Sequence, residues 1–115
     1  MQPIAAQFER DDMLAIAEYL SQKPWPDLGQ PRAAKDVAAK AQSASASVGC
    51  PACHLDRFQG DGTVPRLAGM GRDYLAKTIA DFRTRARGNN PGMSDLMLAT
   101  SPDDLAALVE YLAGL

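Results

Sequence analysis

Cys50-Pro51-Ala52-Cys53-His54 is the stretch on which the reading of this chain turns. Cys50 and Cys53 are the only cysteines, and His54 is the only histidine, in 115 residues. Every thiol and imidazole of the chain is therefore gathered into five consecutive positions. C-x-x-C-H is the attachment pattern of covalent haem. Two thiols three positions apart can each add to one vinyl group on the same edge of the ring. The adjoining imidazole then falls beneath the iron.

Other chemistries use parts of the same pattern. A thioredoxin-type redox pair also has C-x-x-C, but it belongs in a βαβ setting. No run of β-branched residues flanks Cys50, and His54 has no task in that reading. Structural zinc takes four Cys or His ligands, and this chain offers three, with no carboxylate marked out as the fourth. A disulfide across so short a loop restricts the unfolded chain little. Covalent haem uses all three residues, and the thiol pair remains as the alternative.

The bulk properties agree. A chain of 115 residues suffices for one modest domain. Hydrophobic residues make up 46% but aromatics only 6%, a thin core unless a buried ring supplies apolar volume. The formal net charge of −2 argues against a general nucleic-acid binder. No stretch approaches the length of a transmembrane helix, and no leader pattern is visible. Bacterial haem attachment to C-x-x-C-H takes place outside the cytoplasm. The expectation is a periplasmic protein whose sequence here is a mature chain or a fragment.

Apolar periodicity predicts helices throughout, with no convincing strand. Met13, Ile16, Ala17 and Leu20 recur at helical spacing over Asp11 to Leu20. The run Pro24-Trp25-Pro26-Asp27-Leu28-Gly29-Gln30-Pro31 breaks helix and reads as a linker, with Trp25 as its anchor. The alanine- and serine-rich stretch from Arg32 to Val48 predicts a helix leading into the cysteine motif. Gly60 to Pro65 reads as a loop. Asp73 is the expected cap of a helix running to about Arg87, with Tyr74, Thr78, Ile79 and Phe82 on one face and Gly88 at its stop. Gly88 to Gly92 is a second loop that presents Met93. The last helix has Ser101 as N-cap, Pro102 in its first turn and Asp103 and Asp104 near its positive end. Leu105, Leu108, Val109 and Leu112 form its apolar stripe.

The two ends of the chain repeat each other at an offset of 92 residues, counted from Met1 to Met93 (93 − 1). At that offset Asp11-Asp12 meets Asp103-Asp104, Glu18-Tyr19-Leu20 meets Glu110-Tyr111-Leu112, and Ile16 meets Leu108. Two amphipathic helices share apolar spacing by chance, but not readily this set of polar identities as well. Residues 1–23 therefore read as the C-terminal helix of a preceding haem domain, with Met1 in the place of its iron ligand. Residues 24–31 are the linker and residues 32–115 the haem domain.

From Cys50 to the C-terminus the chain resembles the class I c-type cytochromes, most closely one domain of the tandem di-haem cytochrome c4 type or a related short one-haem protein. The carriers are Cys50-x-x-Cys53-His54, Gly60-Asp61-Gly62, Val64-Pro65-Arg66-Leu67-Ala68-Gly69, Tyr74-Leu75, Phe82-Arg83, Arg87, Met93, Asp104 and Tyr111-Leu112. The resemblance implies an all-α class I cytochrome c fold around one covalent haem c. In it Cys50 and Cys53 bind the haem, His54 is the proximal ligand and the Pro65 carbonyl accepts a hydrogen bond from the other ring nitrogen. Met93 is the implied distal ligand. Leu55 stands where the family often has glycine, Met70 where glutamine is common. The helix before Cys50 lacks the usual glycine and aromatic pair.

Among five methionines, helical spacing makes Met13 and Met97 candidates for core packing. Met93 follows a Gly-Pro loop, and Met70 is the next candidate for the iron. A His/Met pair raises the reduction potential and leaves no open coordination position, which favours electron transfer over catalysis. Arg83, Arg85 and Arg87 read either as favourable charge at a helix end or as a docking patch. Residues 50–92 carry seven basic and four acidic groups, and residues 93–115 none and four. Such asymmetry can orient encounters. The expected partners are a redox donor and acceptor, including a membrane-bound oxidase or a catalytic redox subunit. A haem subunit of a larger oxidoreductase is the alternative function.

Overall fold

The computed structural model describes residues 2–115, and among them every regular element is a helix. The order is α1 (Gln2–Ala5), α2 (Arg10–Ser21), α3 (Lys35–Val48), α4 (Pro51–His54), α5 (Arg72–Arg83), α6 (Pro91–Ala99) and α7 (Pro102–Ala113). A lone antiparallel bridge joins Asp61 and Val64. The expected all-α architecture is the one found.

α7 and α3 form the frame. Ser101 caps α7 by accepting from the Asp104 N–H at 3.1 Å, and Pro102 opens its first turn. The stripe Leu105, Leu108, Val109 and Leu112 is buried as its spacing requires. It packs on α3, whose buried positions are Ala41 and Ser45. Small side chains there let the two axes approach, so the pairing forms without the family's glycine and aromatic. α3 runs unbroken to Val48 because Gly49 (φ +80°) supplies the left-handed stop.

α5 and α6 complete the core through Leu75, Phe82 and Met97. α5 starts after Gly71, so Asp73 lies in its first turn rather than capping it, and it ends at Arg83, four residues before the expected Arg87. The Thr84 hydroxyl donates back to the Ala80 carbonyl at 2.9 Å, and Arg85 turns left-handed (φ +60°), which diverts the chain. Leu75, rather than the exposed Tyr74, faces the core. The Arg83 guanidinium donates to the carbonyls of Met97 (2.9 Å) and Thr100 (2.8 Å), tying α5 to the end of α6.

Residues 24–31 carry no helix, yet they are held down. The Gln30 amide donates to the Met70 and Ala113 carbonyls at 2.9 and 3.1 Å, and its oxygen accepts from the Arg72 N–H at 2.8 Å. Trp25 lies against Gly69 and under the Arg66 guanidinium, as an anchor should.

α2 behaves differently. It has no buried residue, and Met13, Ile16 and Leu20 are all exposed. Met13 is therefore not core in this chain, a correction to the spacing argument, whereas Met97 is buried. Met1, the residue matched to Met93, lies outside the described residues.

Candidate functional site

Ser45, near the end of α3, accepts both the Gly49 and Cys50 N–H groups at its carbonyl. Pro51 then opens the single turn α4, which stacks Cys50, Cys53 and His54 closely together. Cys50 is half-buried and Cys53 exposed, and both are free thiols. Burial pushes the Cys50 thiol above its ordinary value, a shift only partly offset by the Ser45 hydroxyl. A nucleophilic redox pair wants the opposite, a thiol lowered by positive charge or a helix N-terminus.

His54 is buried (6% exposed), and its Nδ1 lies 2.8 Å from the Pro65 carbonyl oxygen. A carbonyl only accepts, so Nδ1 carries the proton and Nε2 keeps the lone pair. Three left-handed residues bring Pro65 back to His54: Leu55 (φ +66°), Phe58 (φ +54°) and Gly60 (φ +69°). The Gly60 N–H donates to the His54 carbonyl at 3.1 Å, and the Phe58 carbonyl accepts from Leu67 and Ala68. A Cβ on Gly60 would sit 2.5 Å from the Val64 oxygen and 2.6 Å from the Pro65 carbon. That glycine is what lets the returning segment lie close on the histidine turn.

Met93 is on α6, not at the tip of a free loop. Pro91 occupies the first turn, and the Asn90 side chain accepts from the Met93 N–H at 3.2 Å, so Asn-Pro starts a helix at Pro91, inside the expected loop Gly88 to Gly92. Met93, Cys50 and Met70 are half-buried against the same core. Beside Met93, the Ser94 hydroxyl is buried (1% exposed) and has no hydrogen-bond partner among the described residues. An orphan of this kind calls for an explanation such as a bound group.

The arginine cluster is largely spent within the fold. Arg83 holds carbonyls, Arg85 pairs with Asp95 at 2.8 Å, and Arg87 lies over the Phe82 ring. Sequence reading missed Gln30; it placed Gly60 in a loop and marked Leu55 as a departure from glycine, but not the close backbone approach at the one or the strain at the other. Glycine's usual place after the histidine was the one available signal for Leu55; Gln30, a polar residue in a linker, carried none.

The donor set fits one covalent haem: two unbridged thiols, an imidazole with its outer nitrogen free, and an orphan hydroxyl next to a thioether. No cluster of three or more His, Cys, Asp or Glu suited to a bare metal ion occurs among the described residues. A helical frame carrying such a set defines a haem protein of the c type. The family model for cytochrome c matches residues 33–115, and the chain belongs to that family, with one covalently attached haem c and electron transfer as the family's function.

Relatives narrow the likeness. The chain is 35% identical over 123 residues to the thiosulfate dehydrogenase electron acceptor of Stutzerimonas stutzeri, covering 98% of this chain and 57% of that protein. It is 32% identical over 117 residues to cytochrome c4 of Azotobacter vinelandii, covering 94% and 56%. The solved cytochrome c4 of Acidithiobacillus ferrooxidans superposes with a TM-score of 0.81 at 26% identity, over 100% of this chain and 70% of that one. The chain thus spans just over half the length of those two relatives.

Proposed function

We propose that residues 32–115 carry single electrons through a haem held by Cys50 and Cys53 and ligated by His54 and Met93. The observation that carries this is the buried His54 with Nδ1 engaged by Pro65 beside two free thiols. When bound, the haem iron supplies a reversible ferrous/ferric couple. The protein's part would be to hold His54 and Met93 at the iron, orient the imidazole through Pro65 and exclude water. Pro51, Val64 and Met70 are half-buried and Ala52 is exposed. These four form the small apolar edge through which a partner approaches.

The donor and acceptor are redox proteins outside the cytoplasm. The likeness to a thiosulfate dehydrogenase electron acceptor supports a sulfur-oxidising dehydrogenase as the donor, with a terminal oxidase or another catalytic redox subunit downstream. α2 belongs to a preceding haem domain: its uncovered apolar face and its match to α7 both support that assignment. No helix among the described residues is long and apolar enough to cross a membrane.

The test is a visible spectrum, oxidised and reduced, with an intact mass, after expression alongside haem-attachment machinery. A sharp reduced α-band, a weak sulfur-to-iron band when oxidised and a mass gain of one haem that survives denaturation are expected. A colourless protein with two titratable thiols overturns the reading. Stable co-purification with a catalytic subunit points instead to a haem subunit of an oxidoreductase.

A further inference from the structure

The linker is placed where it can act on His54 through Pro65. Pro65, whose carbonyl holds His54, begins a strap that runs through Arg66, Leu67, Ala68 and Gly69 to Met70. The strap's inner side is fixed by the Phe58 carbonyl and by the Gly69 N–H donating to Leu112 at 2.8 Å. Its outer side is covered by the linker. The Arg66 guanidinium lies 5.0 Å from the centre of the Trp25 ring while its Nε donates to the Ala68 carbonyl at 2.8 Å. The Trp25 Nε1 would be 3.3 Å from a Cβ on Gly69, so the indole rests on bare backbone. Gln30 bridges Met70, Arg72 and Ala113. Gly114 leaves room for Pro31, whose oxygen would be 2.6 Å from a Cβ there.

We infer that Trp25 and Gln30 are positioning residues for His54: the linker presses the strap into place and so sets the His54–Pro65 hydrogen bond. A simple tether needs no such contacts. A partly buried amide using its donors and acceptor on three backbone groups is a clamp, and an arginine stacked on tryptophan one residue from Pro65 transmits it. The consequence follows from ligand basicity. A firm bond to Nδ1–H makes the imidazole a stronger donor and favours the ferric state. Loosening the strap therefore raises the reduction potential. A segment or partner that lifts the linker would do the same.

The inference rests on His54 as the proximal ligand, so the experiment separates the two. Holo-protein is prepared as wild type, Trp25→Ala, Trp25→Phe and Gln30→Met. Each is followed by reduction potential, by the hyperfine-shifted imidazole protons in the NMR spectrum, and by exchange of the Gly69 and Arg72 amides. Trp25→Ala and Gln30→Met are expected to speed amide exchange, move the imidazole Nδ1 proton and favour the ferrous form about threefold, a rise of about 30 mV at 59 mV per tenfold. Trp25→Phe keeps a ring under Arg66 and is expected to restore most of the shift. Faster exchange with an unmoved proton and potential would overturn the clamp. Gln30→Met preserves size without the amide's hydrogen-bonding groups, so it decides the matter if Trp25→Ala fails to fold. Absence of a hyperfine-shifted imidazole in the wild type would instead sink the His54 assignment.

Discussion

His54 Nδ1 and the Pro65 carbonyl oxygen stand 2.8 Å apart, although they lie eleven positions apart in the chain. That bond fixes the tautomer and leaves the lone pair on Nε2. Met93, half-buried on α6, is its proposed counterpart at the iron. Met93→Ala is expected to abolish the sulfur-to-iron band. A His/Met pair holds the potential high, so the couple should fall by at least about 59 mV, a tenfold change for one electron. An unchanged spectrum would transfer the role to another residue, with Met70 first in line.

Leu55 occupies φ +66° and ψ +165°, a region open essentially to glycine alone, with strain of about 1–3 kcal/mol. Leu55 is also exposed, so little packing is lost with its side chain. Leu55→Gly is expected to stabilise the protein by about 1 kcal/mol, because the added freedom of the unfolded glycine offsets part of the relief. Denaturant unfolding at constant m-value measures it. A destabilised variant would mean that the leucine side chain is held by something bound.

Gly60 and Gly62 make an internal comparison. Both have positive φ, but a Cβ at Gly60 meets backbone at 2.5 Å whereas at Gly62 it meets nothing within 4 Å. Gly62→Ala should cost about 1–2 kcal/mol from the left-handed backbone alone. Gly60→Ala should cost distinctly more and also disturb the signals of His54, since it displaces the Pro65–Arg66 peptide. Equal costs at the two positions would contradict the close approach seen at Gly60.

The repeat gives a matched pair of leucines. Leu20 is 59% exposed and Leu112 4% exposed. In this chain Leu112→Ala should cost about 2–5 kcal/mol and Leu20→Ala less than about 0.5 kcal/mol. In a longer protein in which α2 is covered by its own haem domain, Leu20→Ala should cost as much as Leu112→Ala. Thermal unfolding of both lengths discriminates.

From sequence Arg83 belongs to a basic cluster that suits either a helix end or a docking patch, and its work is internal. Arg83→Met leaves the Met97 and Thr100 carbonyls without their donor, each lost partner costing about 1–3 kcal/mol. Thermal unfolding should register the loss, and the sulfur-to-iron band should weaken because α6 carries Met93. A variant as stable as the wild type would return Arg83 to the surface and to docking.

Much of this was legible from the residues in order. The cysteine motif is five consecutive positions, Ser101-Pro102-Asp103-Asp104 is a local start signal, and Leu105, Leu108 and Leu112 follow the helical period. Such features depend on neighbours within a turn or two, so the chain displays them directly and they determined the cofactor, the helical class and the closing helix. The end of α5, the helical setting of Met93 and the exposure of Met13 were not legible, because each depends on what lies across the fold. The same holds for the clamp. Gln30 meets Met70 and Ala113 at separations of 40 and 83 residues, and a polar side chain in a linker follows no period that would announce its partners. Only the tertiary structure decided those contacts, because a buried backbone carbonyl must find a donor wherever the packed chain brings one.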